Sequence, residues 1–213
     1  MLAAIETTGD TCGIALFEGD QLLAELHVAL PRAHDRLLAT LFQQSLDVVG
    51  KPASHLSAIA VSTGPGSYTG IRIGVSFAIG LALGMGVPMI PVPTLDALAY
   101  SLRALAKASR RSRVLSVIPA GRLGLYASLF QVLPEFLRLT DAGAIQPEHL
   151  PALLDENVLA AGPGILQIKS QYSDCIAYGT TQLTARAIGE HAIFLQNLGL
   201  TCSPEQIEPL YIG

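Results

Sequence analysis

Two loops of nearly the same lettering sit in opposite halves of this chain: Val61-Ser62-Thr63-Gly64-Pro65-Gly66 and Leu159-Ala160-Ala161-Gly162-Pro163-Gly164. Each leaves a short apolar run that reads as a strand and opens a segment that reads as a helix. A strand–glycine–helix unit occurring twice restricts the chain to folds built by duplication. Glycines at such a turn also expose the free N–H groups of a helix N-terminus, which can cradle an anion. The same glycines serve equally well as a tight turn that needs backbone freedom.

The surrounding pattern supports the duplication. Residues 2–8, 13–17 and 22–29 read as strands, 35–49 as a helix, 58–63 as a strand, 69–84 as a helix, 88–92 as a strand and 94–108 as a helix. In the second half, strands are expected at 113–119, 124–132 and 135–139, a short helix at 147–154, a strand at 157–161 and a last helix at 181–197. Three antiparallel strands followed by alternating helices and strands is the ribonuclease-H-like order. Two copies give an α/β, actin-like ATPase duplication with two βββαβαβα-type subdomains. The expected division is 1–106 and 112–213, joined by a polar linker around Lys107–Arg113.

Composition removes several function classes. The net charge is −4 and only 14% of residues are charged, against roughly 25% in ordinary soluble domains. A globally basic nucleic-acid binder is excluded, and the high mean hydropathy of +0.46 suits a subunit that hides surface against a partner. Cys12, Cys175 and Cys202 form no Cys-x-x-Cys pair, and the five histidines lack zinc spacing, so no metal site is expected. Residues 73–95 carry no charge, but Pro88, Pro91 and Pro93 leave an unbroken helix of about 15 residues, short of the ~20 that span a bilayer. The N-terminus lacks the basic region of a signal peptide, so a cytoplasmic chain without membrane contact is expected.

The segment Thr63 to Gly74 is not a Walker A loop, because no Gly-Lys-Ser/Thr closes it. It is not a nucleophile elbow either, since Pro65 stands two residues before Ser67. Small residues then recur every four positions at Gly70, Gly74, Ala78 and Ala82. On a helix they make a smooth ridge that a partner helix, or the chain's own sheet, can approach closely. Together with Leu37, Leu38, Leu41 and Phe42 of the 35–49 helix, the ridge is the expected partner surface. The basic run Arg103, Lys107, Arg110, Arg111 and Arg113 could meet RNA phosphates, or be a solvated helix end.

The chain resembles the TsaB (YeaZ) family. The resemblance rests on Leu2-Ala3-Ala4-Ile5-Glu6-Thr7-Thr8, on Arg32-Ala33-His34, on Gly64 to Gly74, and on Glu208-Pro209-Leu210-Tyr211-Ile212. It implies a non-catalytic scaffold with no cofactor, which pairs with the transferase TsaD and through it meets TsaE. It would serve tRNA N6-threonylcarbamoyladenosine formation while meeting tRNA only indirectly or weakly, and could form a homodimer when alone. By the same resemblance, Glu6, Thr7, Thr8, Gly64, Gly66 and Ser67 are the remains of a phosphate site. Glu6 stands where the family usually has Asp. Residues 119–126, Pro-Ala-Gly-Arg-Leu-Gly-Leu-Tyr, lack the Asp and Glu that the family carries there. No catalytic residue is expected. The alternative is an autonomous nucleotide-binding kinase or ATPase of the same fold.

Overall fold

The computed structural model describes residues 1–29, 34–167 and 182–212. Arg32, Ala33 and Cys175 lie outside the described residues, as does the start of the helix expected from 181. The chain forms two compact units, Met1–Thr94 with Thr184–Tyr211, and Leu95–Leu183 with the last two residues.

In the first unit, β1 (Leu2–Glu6), β2 (Cys12–Glu18) and β3 (Gln21–Val28) form an antiparallel meander. Helix α1 (His34–Val49) then leads to β4 (Ala58–Gly64), α2 (Tyr68–Met85) and β5 (Met89–Pro93). The sheet order is β3-β2-β1-β4-β5, with β1, β4 and β5 parallel. This is the expected order, because two crossovers through helices place β4 beside β1 and β5 beyond it. Side chains alternate across the sheet. Ala3, Ile5, Ile14, Leu16, Ile59 and Val61 share a core with Leu38, Leu41, Phe42 and Leu46 of α1 and with Ile71, Val75, Ala78 and Ala82 of α2. Burial of each large apolar side chain here contributes roughly 1.5–3 kcal/mol.

The second unit holds α3 (Thr94–Ser101), α4 (Arg103–Ala108), β6 (Arg113–Pro119), β7 (Leu125–Gln131), β8 (Leu137–Arg138), β9 (Gly143–Ile145) and β10 (Val158–Ala161). The helix expected over 94–108 is broken at Leu102, and the one expected over 147–154 is a 3-10 segment, Pro147–Leu153. Its sheet runs β10-β6-β7-β8, with β9 also on β7 and β10 parallel to β6. The repeat is visible in the loops. A Cβ on Gly162 would sit 2.1 Å from the Val117 carbonyl of β6, as Gly66 and Gly70 meet the end of β1 in the first unit.

The final helix, α5 (Ala185–Asn197), does not belong with the second half, so the division at 106/112 is corrected. The helix packs on β1, β2, β4 and β5. Gly189 lies directly against the Phe17 ring, where a Cβ would fall 2.1 Å from Cε2. Gly13 faces Ala185 at 3.4 Å in the same sense. The small residues of α5 therefore fit the face of the first sheet that α1 and α2 leave open. Helix α2 has the length and mean hydropathy (18 residues, 1.4) of a membrane span. Its buried edge, however, is built of Gly70, Gly74, Ala78 and Ala82 against a sheet, and left-handed Gly86 (φ 66°) ends it.

Candidate functional site

The residues expected as phosphate-loop remnants come together where β1 ends. Glu6 is buried, and its Oε1 accepts from the Thr8 amide and the Thr8 hydroxyl, both at 2.6 Å. The Thr7 hydroxyl donates to the Gly70 carbonyl at 2.8 Å, and the Ser67 amide donates to the Thr8 carbonyl at 2.8 Å. Ser67 caps α2 by accepting from the Gly70 amide. The amides of Thr8, Ser67 and Gly70 are thus already engaged with protein oxygens. A cradle needs such groups aimed at a ligand; here the two loops satisfy each other.

The glycines explain how the loops approach so closely. A Cβ on Gly66 would lie 2.6 Å from the Thr8 carbonyl oxygen, one on Gly70 2.0 Å from the Thr7 carbonyl oxygen, and one on Gly74 2.2 Å from Thr7 Oγ1. The ridge expected to meet a partner is therefore internal. Ala78 and Ala82 are fully buried on the chain's own sheet, and Leu38, Leu41 and Phe42 are buried with them. Of that expected surface, only Leu37 is partly exposed.

Burial dominates the electrostatics of Glu6. It pushes the carboxyl up to about 7, against the opposing pull of hydrogen bonds from Thr8 and Ser62. Oε2 has no hydrogen-bond partner. The neighbouring Cys12 thiol is pushed up to about 11, first by burial and then by the Glu6 charge, which makes it an inert thiol. Among the described residues no group of three His, Cys, Asp or Glu side chains is placed to hold a metal. The segment 119–126 is a β6–β7 hairpin with a 3-10 turn over Gly121–Leu123, and it carries no carboxylate.

The outward side of α2 was not legible as a site. Tyr68, Arg72, Ser76, Gly80 and Gly84 form a second row at four-residue spacing, and all five are exposed. Nothing lies within 4 Å of a Cβ built on Gly80 or Gly84. Leu83 beside them is 56% exposed. The spacing is visible in the sequence, offset by two residues from the row of Gly70, Gly74, Ala78 and Ala82.

The basic run is largely occupied within the second unit. Arg113 bridges Asp155 at 2.6 Å, and Arg103 lies 3.3 Å from the Tyr100 ring centroid while its Nε donates to the Tyr100 carbonyl. Arg111 is also engaged, whereas Lys107 and Arg110 are exposed. Replacing Lys107 and Arg110 together with Ala is expected to leave the slope of log affinity for tRNA against log salt unchanged. A filter-binding salt series on the double variant checks this; a slope shallower by about 2, the worth of two phosphate contacts, would make the cluster a genuine RNA surface.

Comparison with known proteins places the chain in a family. The family model described as "TsaD: tRNA N6-adenosine threonylcarbamoyltransferase" matches residues 28–190. The tRNA threonylcarbamoyladenosine biosynthesis protein TsaB of Escherichia coli is 34% identical over 61% of this chain and 54% of its own length. The protein of the same name from Haemophilus influenzae is 31% identical over 99% of this chain and 92% of its own. Among solved structures, YeaZ from Pseudomonas aeruginosa superposes with a TM-score of 0.84 at 25% identity, covering 99% of both chains. With an actin-like, ribonuclease-H-like fold and a relative matched almost end to end, the chain belongs to the TsaB (YeaZ) family, whose members are named for tRNA threonylcarbamoyladenosine biosynthesis.

Proposed function

We propose that the chain is a non-catalytic subunit that docks a TsaD-type threonylcarbamoyltransferase, and through it TsaE, using the outer face of α2. The observation that carries this reading is a pair of opposed facts about one helix. Its inner row of small residues locks the would-be phosphate loop shut against Thr7 and Thr8. Its outer row leaves Ser76, Gly80 and Gly84 open beside exposed Leu83. Small residues on an exposed apolar helix let a second helix approach closely, and burying Leu83 there removes apolar surface from water. Leu37 of α1 lies on the same side of the sheet as α2, since both helices join one core.

No bound nucleotide or metal enters the reading. Glu6 is held in an environment that favours its neutral form, and its hydrogen bonds are spent on its own loop. Such a carboxyl is poorly suited to holding magnesium.

Binding of purified TsaD to Gly80→Trp and Leu83→Glu tests the docking face. Both side chains point to open space, so both variants should melt near the wild-type temperature. Overpacking an interface costs ~1–3 kcal/mol, so the complex should weaken by roughly 5- to 150-fold. Normal affinity in two well-folded variants would remove α2 from the interface. Tight, stoichiometric binding of Mg-ATP to the isolated chain would restore the kinase or ATPase alternative.

A further inference from the structure

The segment Glu208-Pro209-Leu210-Tyr211-Ile212 stands out in the sequence, yet neither the fold nor the docking face has used it. It runs over the glycine loop. The Leu210 amide donates to the Thr63 carbonyl at 2.7 Å, and the Leu210 carbonyl oxygen occupies the place a Gly64 Cβ would need, 2.6 Å away. Those backbone contacts set Tyr211 beside Tyr68, with ring centroids 5.0 Å apart and planes inclined at 38°. Arg72 joins them: its guanidinium donates to Tyr68 Oη at 3.1 Å and lies 5.3 Å from that ring's centroid. Tyr68 remains 58% exposed and Tyr211 49%. Segments far apart in the sequence thus make one surface patch, fixed by backbone hydrogen bonding.

We propose that Tyr68, Arg72 and Tyr211 anchor the partner protein at the N-terminal end of α2, receiving a carboxylate side chain on Arg72 and a flat apolar group against the two rings. The inference rests on the docking reading given above and names its anchor. Continuity supports it, because Tyr68 and Arg72 begin the exposed row that continues through Ser76, Gly80 and Gly84. A partner chain lying along the small residues runs into them. Arg72 makes no ion pair among the described residues, and Tyr68 already holds its guanidinium in place, so little freedom is lost when a carboxylate arrives. Exposed tyrosines and arginine are the residue types that dominate interface energetics. An RNA strand fits less well. Exposed Glu205 and Glu208 lie on the same tail, so the local charge is mixed and does not attract a polyanion.

The test uses the full chain, purified TsaD and tRNA, with the variants Arg72→Glu, Tyr211→Ala and Tyr68→Phe. Arg72→Glu and Tyr211→Ala should each weaken TsaD binding by about 30-fold, the scale of a truncated anchor. Tyr68→Phe keeps the ring and should stay within a few-fold of wild type. Arg72→Glu touches no backbone contact, so it decides the case should Tyr211→Ala melt early. Wild-type affinity in a folded Arg72→Glu overturns the anchor. The docking reading survives that outcome if Gly80→Trp still weakens the complex. Loss of tRNA binding with TsaD binding intact would make the patch an RNA surface and overturn the proposal. If wild type itself does not bind TsaD, the docking reading and the anchor fall together.

Discussion

Gly70→Ala is expected to lower the melting temperature of the isolated chain, while Gly80→Ala, ten residues along the same helix, raises it. Helix propensity alone favours alanine at both positions by roughly 1 kcal/mol. At Gly80 nothing lies within 4 Å of the new methyl, so the gain is realised. At Gly70 the methyl would sit 2.0 Å from the Thr7 carbonyl oxygen. That neighbour is backbone at the end of β1 and cannot swing aside. Making room means separating the two loops, which breaks the Thr7 hydroxyl bond to the Gly70 carbonyl and strains the Ser67 amide bond to Thr8. Two such bonds contribute about 1 kcal/mol each, and overpacking adds ~1–3 kcal/mol. Less the propensity gain, the loss is roughly 2–4 kcal/mol, or a fall of roughly 4–16 °C for a chain of this size. Gly74→Leu should fall at least as far, because its Cβ alone would meet Thr7 Oγ1 at 2.2 Å. Thermal melts of the three variants decide it. An unchanged Gly70→Ala would mean the loops are not in contact, and would return the inner row to the surface.

That contrast also shows where the sequence was legible and where it was not. Strand and helix order followed from periodicity, because a half-buried strand and a sheet-covering helix leave different spacings of apolar residues. The paired glycine loops identified the duplication, and each proves to press on the first strand of its own unit. Small residues on α2 did not reveal their direction. They occur in two rows, 70-74-78-82 and 76-80-84, and a four-residue spacing is satisfied by either. The bond from the Thr7 hydroxyl to the Gly70 carbonyl marks which row is buried, and that contact joins residues 63 positions apart. The destination of α5 was hidden for a similar reason. Its Gly189 reads as a helix weakness until the Phe17 ring is placed against it. Tyr211 meets Tyr68 through backbone contacts made by Leu210, which no local pattern announces.

Glu6 makes the wild-type chain lose stability as pH rises from about 4.5 to about 7, and Glu6→Gln should abolish that loss. The carboxyl titrates near its ordinary value of 4.5 when unfolded and at about 7 when folded, chiefly because burial disfavours its charged form. Below pH 4.5 both states are protonated and nothing is lost. Between 4.5 and 7 the unfolded chain releases the proton while the folded chain keeps it, so unfolding is increasingly favoured. Above 7 both are ionised and the penalty is complete. A displacement of this size corresponds to about 3 kcal/mol. Glutamine keeps an oxygen to accept from Thr8 and carries no charge, so its urea midpoint should stay flat across the window in which the wild type declines. Subtracting the two curves removes every other titrating group, including Glu18 and Glu205, whose pKa values are lowered and whose contributions change at lower pH. Parallel curves for the two proteins would show that Glu6 is solvated and the loop open. Magnesium sharpens the distinction. A carboxylate that serves a cation is stabilised in its ionised form, so an intact metal site would bring the folded pKa down and shrink the wild-type decline when millimolar magnesium is added. A loop closed on itself, with Oε1 bound to Thr8 and Oε2 shut away from solvent, should give the same curve with magnesium or without it.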